Sequence, residues 1–403
     1  MRAALTFTLP AVLLGACADR SWDSGPITFT DSAGVAIVTN EGTSQDVAEW
    51  RTEPLLTIGQ LEGGEEYAFG EIADVALDRR GRVVVLDRLA QQAMAYDTDG
   101  SFLFRVGGAG EGPGELSPEV MSIGVGPGDS IAILDYWQMR LNVYTPDGAP
   151  ARTVSMRSFG RQGPYEFHLL GDGRLLVRWY TYEVDREGRF LPWDALLLSD
   201  EVQEPFDTLM ALDYRPPPLG DVRELLRPLF LNVAFYDVLA DGRIVWSALE
   251  EEQITIHARD GALERIVRNR EWRRRAATAA DREVLESVYR AGGDGRSWPS
   301  PEQVVLPDSI PTITAVRASP DGGFWVQRMG RLSGIDPGAL FLPAYLGWLG
   351  GTTWEVYDRD GRRHATVRLP ARFRLTGVGD STVVGIHRDD MDVERVMVLR
   401  VVR

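Results

Sequence analysis

The stretch of this 403-residue chain that most resembles a reactive site is a glycine-dense loop, RVGGAGEGPGEL at residues 105–116. Such loops cradle phosphates when backbone N–H groups converge at the start of a helix. A phosphate loop of that kind requires G-x-x-x-x-G-K-[ST], and here Glu115 follows the last glycine. G-x-G-x-x-G cannot be threaded through Gly107, Gly108, Gly110, Gly112 and Gly114 in any register. An acidic tip would also repel phosphate. The spacing therefore argues against a nucleotide site.

Carboxylates are the next groups with chemical potential. Glu71 and Glu115 occupy matching Gly-Glu-apolar steps, in EYAFGEIADV and EGPGELSPEV. Two such carboxylates could help to hold Ca²⁺, and singly each would accept backbone N–H bonds. Asp87 and Asp135 close matching apolar runs, where an aspartate ordinarily accepts local backbone hydrogen bonds. The four histidines stand far apart, at His168, His257, His364 and His387, and with one cysteine they form no zinc pattern. There is no G-x-S-x-G elbow and no H-E-x-x-H. The basic run RNREWRRR ending at Arg275 reads as a solvated lead-in to a helix.

What positions these residues is a repeat. RVVVLDRLAQQAMAYDTDG (Arg82–Gly100) aligns with SIAILDYWQMRLNVYTPDG (Ser130–Gly148), each matched pair offset by 48. Alternating apolar strands joined by Asp-Gly turns are the signature of hairpins. Weaker copies begin at GDGRLLVRW (171–179), ADGRIVWSA (240–248) and PDGGFWVQR (320–328). Six units result, near 71–106, 117–158, 163–209, 233–269, 311–369 and 371–403. The last is short of a strand, and EPLLTIGQ (Glu53–Gln60) is free to complete it. An all-β six-bladed propeller of four-stranded antiparallel blades follows, closed by the N-terminal strand. In it, Glu71 and Glu115 fall near the mouth of the central channel. The glycine loop becomes a link between blades. Two insertions interrupt the rhythm: a helix near 278–292, capped by Thr278, and an apolar segment at 331–351. Trp179, Trp246 and Trp325 belong between the sheets, as do Trp348 and Trp354 on balance.

Composition sets the remaining bounds. A formal net charge of −16 disfavours nucleic acid. The start, MRAALTFTLPAVLLGAC, has a positive residue, a short apolar run and small residues before Cys17, as in a secretory signal.

Three further stretches carry a family likeness. DSAGVAIVTN (31–40), FRVGGAGEGPGEL (104–116) and VVVLDRLAQQAMAYDTDG (83–100) resemble bacterial six-bladed propeller lipoproteins of the NHL-repeat kind. Leu14-Gly15-Ala16-Cys17 resembles the lipobox. These resemblances imply a signal peptide over 1–16 and a lipid-bearing Cys17. They further imply a tether and first strand over 17–50, and a propeller over 51–403. The location implied is extracytoplasmic, with Ala18 favouring the outer membrane. For function the resemblance implies a binding or scaffold module for a peptide, glycan or protein. The alternative it leaves open is a Ca²⁺-dependent hydrolase or lyase of the gluconolactonase-like kind.

Overall fold

The computed structural model describes residues 25–61, 64–156, 164–184, 190–199, 207–212, 234–248, 252–284, 308–330, 332 and 350–403. Within them the chain is all-β, a closed ring of six four-stranded antiparallel blades. Blades 1 to 5 span residues 72–107, 120–155, 164–212, 234–269 and 313–368. Blade 6 takes three strands from residues 373–402 and its fourth, Ala48–Ile58, from the N-terminal region. That strand pairs antiparallel with Glu394–Val402, from Ile58 opposite Val396 to Arg51 opposite Val402. Sequence and ring therefore close at the same seam, and blade 6 has no exposed outer edge there.

Strand position within a blade explains strand composition. Second strands lie between two neighbouring blades, so both faces are covered. Val83–Asp87 and Ile131–Asp135 are accordingly buried at every residue. Outer strands such as Phe102–Gly107 show one wet face, and their residues alternate. The turns between strands use glycine where the backbone must turn left-handed: Gly100 and Gly148 have φ of 84° and 86°.

The core is divided by the ring. Six clusters of buried apolar residues occur, one at each blade-to-blade interface. Val106, Leu116 and Tyr144 sit between blades 1 and 2, for example, and Ile58, Ile72 and Val396 between blades 6 and 1. Trp179, Trp246, Trp325 and Trp354 are all buried in these clusters or beside them. Trp348 lies outside the described residues.

Two features lie beyond the repeat. A hairpin, Ile27–Ser32 with Val35–Asn40, adds to the outer edge of blade 4, where Val35–Asn40 runs parallel to Leu263–Asn269. Its Asn40 side chain reaches blade 5, donating to the Gly361 carbonyl at 3.0 Å and accepting from the Arg363 N–H at 2.8 Å. Helical structure begins at residue 279. Thr278 Oγ1 accepts the Asp281 N–H, while the Asp281 carboxylate accepts from the Thr278 N–H and hydroxyl, a reciprocal cap. Gly292, where the sequence suggested a helix end, lies outside the described residues.

Candidate functional site

The inner strands of the six blades surround an axial cavity of about 680 Å³. In every blade one residue stands just inside the pair that closes the first hairpin. These residues are Ala76, Gly124, His168, Asp237, Arg317 and Gly377, and all six line the cavity. Their distribution is uneven. Blades 6, 1 and 2 present glycine, alanine and glycine; blades 3, 4 and 5 present histidine, aspartate and arginine. The ring thus has one half that leaves space and one half that supplies polar side chains.

Each of these polar groups is held differently. Asp237 turns both oxygens to backbone amides, Val238 N–H at 2.7 Å and Ala318 N–H of blade 5 at 2.8 Å. His168 Nδ1 lies 3.7 Å from Asp237 Oδ1, and its ring meets Tyr236 edge-on. Arg317 donates through Nε to the Leu375 carbonyl at 3.3 Å and through Nη1 to its own Val316 carbonyl at 2.8 Å. It forms no ion pair with a carboxylate among the described residues. One pleat along the strand, Asp74 of blade 1 accepts from Val75 N–H and from Ile123 N–H of blade 2. Burial pushes its carboxyl above the usual range, against the pull of Arg374 and Arg317. The Ser122 hydroxyl, also on the cavity wall, is buried without a hydrogen-bond partner among the described residues.

The cavity runs out through the turns that join first to second strands. Leu170–Arg174 and Leu239–Gly242 line that end, with the exposed Arg79 and Arg259 beside them. In a chain of net charge −16, this end of the channel gathers guanidinium groups.

Glu71 and Glu115 do not line the cavity. Glu71 is clamped by Arg88, with bonds of 3.0 and 2.6 Å to its two oxygens. Glu115 folds back onto its own loop and accepts the Gly112 N–H at 2.7 Å. The repeat pairs Glu71 with Glu119 instead: the Glu71 carbonyl accepts Arg88 N–H as the Glu119 carbonyl accepts Tyr136 N–H. Arg88 also lies 3.8 Å from the Glu119 carboxylate. The glycine loop is tied down by blade 2, where Arg140 and Gln138 donate to the carbonyls of Gly110, Glu111, Gly112 and Glu115. Asp87 accepts three backbone N–H groups, from Gly70, Glu71 and Ala90, and Asp135 serves Ser117 and Gln138 in the same way.

No group of three or more His, Cys, Asp or Glu is arranged to hold a metal among the described residues. Of the three cavity aspartates, Asp74 and Asp237 spend their oxygens on the scaffold and Asp172 is paired with Arg174, so the described residues do not fit a calcium centre. His168, Asp237 and Arg317 were not singled out by the repeat, because only their shared position, not their type, recurs. Tracking that one position through all six units would have found them.

Comparison with known proteins speaks to the architecture. A family model described as a 6-bladed beta-propeller matches residues 56–192. No curated protein matches the sequence. Among solved structures, a DUF4221 family member from Bacteroides vulgatus superposes with a TM-score of 0.58 at 10% identity, covering 89% of this chain and 98% of that one. A virginiamycin B lyase from Staphylococcus aureus gives 0.44 at 10% identity, over 87% of this chain and 99% of that one. A gluconolactonase from Xanthomonas campestris gives 0.42 at 12% identity, over 94% and 98%. At such identities a likeness concerns the fold and not the activity. On the family match, the superposition on the DUF4221 member and its own six blades, the chain is an all-β six-bladed propeller.

Proposed function

We propose that the protein is a lipid-anchored, extracytoplasmic binding propeller that takes its ligand into the axial cavity. The observation that carries this reading is the half-polar, half-small ring formed by the six cavity positions. A wall of Gly377, Ala76 and Gly124 leaves room, and His168 and Arg317 offer recognition beside the scaffold-bound Asp237. A cavity of about 680 Å³ admits a small molecule or the end of a peptide or glycan, not a folded partner.

Polarity of the ring supports the anchor. Val35–Asn40 runs parallel to the outer strand of blade 4, so Asn40 and its partner Ile27 lie at the end where one blade links to the next. The chain therefore enters at the link end, while the cavity runs out at the opposite, turn end. Seven residues lie between Cys17 and Gly25, eight Cα-to-Cα steps. Even fully extended they span at most about 28 Å. Acylation of Cys17 would hold the link end close to the bilayer and leave the cavity mouth facing the soluble phase.

Metabolic labelling with a fatty-acid probe, followed by fractionation, tests the anchor. Wild-type protein should carry label and sediment with membranes, and Cys17→Ser should do neither. A Cys17→Ser variant that still sediments with membranes would remove the anchored reading. Binding in the cavity is tested separately below.

A further inference from the structure

We propose that the axial cavity recognises a carboxylate, with Arg317 as its anchor. This rests on the reading of the cavity as the ligand site. The argument is one of unspent hydrogen bonds. Two of the three aspartates on the cavity wall are turned into the scaffold: Asp74 serves Val75 and Ile123, and Asp237 serves Val238 and Ala318. Glu166 is paired with Arg178 at 3.3 Å and Asp172 with Arg174 at 3.0 Å. The acids of the cavity are thereby matched.

Arg317 keeps a donor edge unused. A guanidinium has five N–H donors in a planar fork. Arg317 uses Nε and Nη1 on two carbonyls, and its Nη2 meets no acceptor among the described residues. Its charge pulls on the Asp74 carboxyl, but the two form no ion pair among the described residues. The two carbonyls fix the plane of the group. Its remaining edge is left to a planar anion, and a carboxylate fits that fork better than a spherical ion. The Ser122 hydroxyl, buried and without a partner among the described residues, supplies a second polar contact on the wall of blade 2. Opposite the charged arc, the side chains of Ala76, Gly124 and Gly377 are too small to fill the space a ligand body would occupy.

Peptide C-termini and acidic sugars both carry this chemistry, and the test separates them. Calorimetry on the detergent-solubilised full chain would use trialanine and its C-terminal amide, and galacturonate and galactose. The expected result is that one of the two acids binds at least tenfold more tightly than its neutral counterpart. Trialanine as the tighter acid would point to a peptide end, and galacturonate to a sugar. Arg317→Ala should abolish that preference, Arg317→Lys should retain part of it, and Ser122→Ala should weaken the acid several-fold. Thermal melts of each variant establish that the ring remains closed. Equal binding of acid and neutral probes would overturn the carboxylate assignment while leaving the cavity as a binding site. Binding of the acids unchanged in a folded Arg317→Ala would overturn it as well. Failure of all four probes to bind would overturn both readings.

Discussion

Asp74 and Asp237 stand on opposite blades and make the same two bonds. Each carboxylate accepts the N–H of the next residue in its own strand and an N–H from the innermost strand of the following blade. The distances to the neighbouring blade are 3.2 Å to Ile123 and 2.8 Å to Ala318. Inner strands of adjacent blades are not paired as a ladder, so their backbone amides need other acceptors. The two aspartates provide them and staple blade 1 to blade 2 and blade 4 to blade 5.

Removal of one staple should be costly for that reason. Asp237→Ala leaves two amides beside the cavity without their acceptor, a loss of about 1–3 kcal/mol. Asp237→Asn keeps one acceptor oxygen and should cost less. Chemical denaturation of the two variants measures the order. Equal stability of wild type and Asp237→Ala would mean that water replaces the carboxylate.

A larger effect is expected at the contact between blades 4 and 5. Glu355 and Arg363 are both buried, 3.0 Å apart. Around them, Trp272 Nε1 and Tyr357 Oη each donate to Glu355 at 2.8 Å, and Arg363 donates to Glu271 at 2.6 Å and to the Gly42 carbonyl at 2.7 Å. Arg363→Met removes a buried cation from a network built around it, a change worth about 3–5 kcal/mol. Because the network also grips Asn40 and Gly42, the same variant should expose residues 27–46 to limited proteolysis before the ring unfolds.

How much of this was written in the sequence depends on what recurs. Turn chemistry recurs: Asp-Gly turns at 99–100 and 147–148 mark two blades through local backbone geometry alone. The closing strand was legible because blade 6 ran out of residues and Glu53–Gln60 had no partner. The pairing of Glu71 with Glu115 was an error of register. Both follow a glycine, but the offset of 48 leads from Glu71 to Glu119, and the glycine loop contributes extra residues before it. Asn40, Glu271, Glu355 and Arg363 left no pattern, since a network between blades uses each residue once. The charged arc in the cavity was hidden similarly: the fold fixes which position faces the axis and leaves its side chain unconstrained.

Acid should weaken the cap of the helical insertion. The Arg275 guanidinium, 2.5 Å from Asp281, together with the Thr278 bonds, holds the Asp281 carboxyl well below its ordinary value of 3.8. A depressed carboxylate stabilises the fold above its unfolded value and loses that contribution as the pH falls through the folded one. Stability should therefore drop below about pH 4, and Asp281→Ala should lose part of that drop along with roughly 1 kcal/mol at neutral pH. Melting curves between pH 7 and pH 3 for the two proteins decide it. Identical pH profiles would show that the cap is not linked to folding.

The seam of the ring offers the sharpest test of how the fold is held. Ile58 belongs to the N-terminal strand, yet it is buried in the cluster between blades 6 and 1 with Ile386 and Val396. If closure by that strand is part of the folding unit, Ile58→Ala should cost as much as Ile386→Ala, about 2–5 kcal/mol each. Both should shift one cooperative transition. A strand that merely decorates a finished ring would behave otherwise: Ile58→Ala would cost under about 1 kcal/mol, and removal of residues 1–58 would leave a folded remainder. The long-range pairing of Ile58 with Val396 predicts the first outcome, since blade 6 without it would expose the whole edge of Glu394–Val402 to other chains. Equilibrium unfolding of the two alanine variants, with light scattering to register aggregation of the truncated chain, separates the cases.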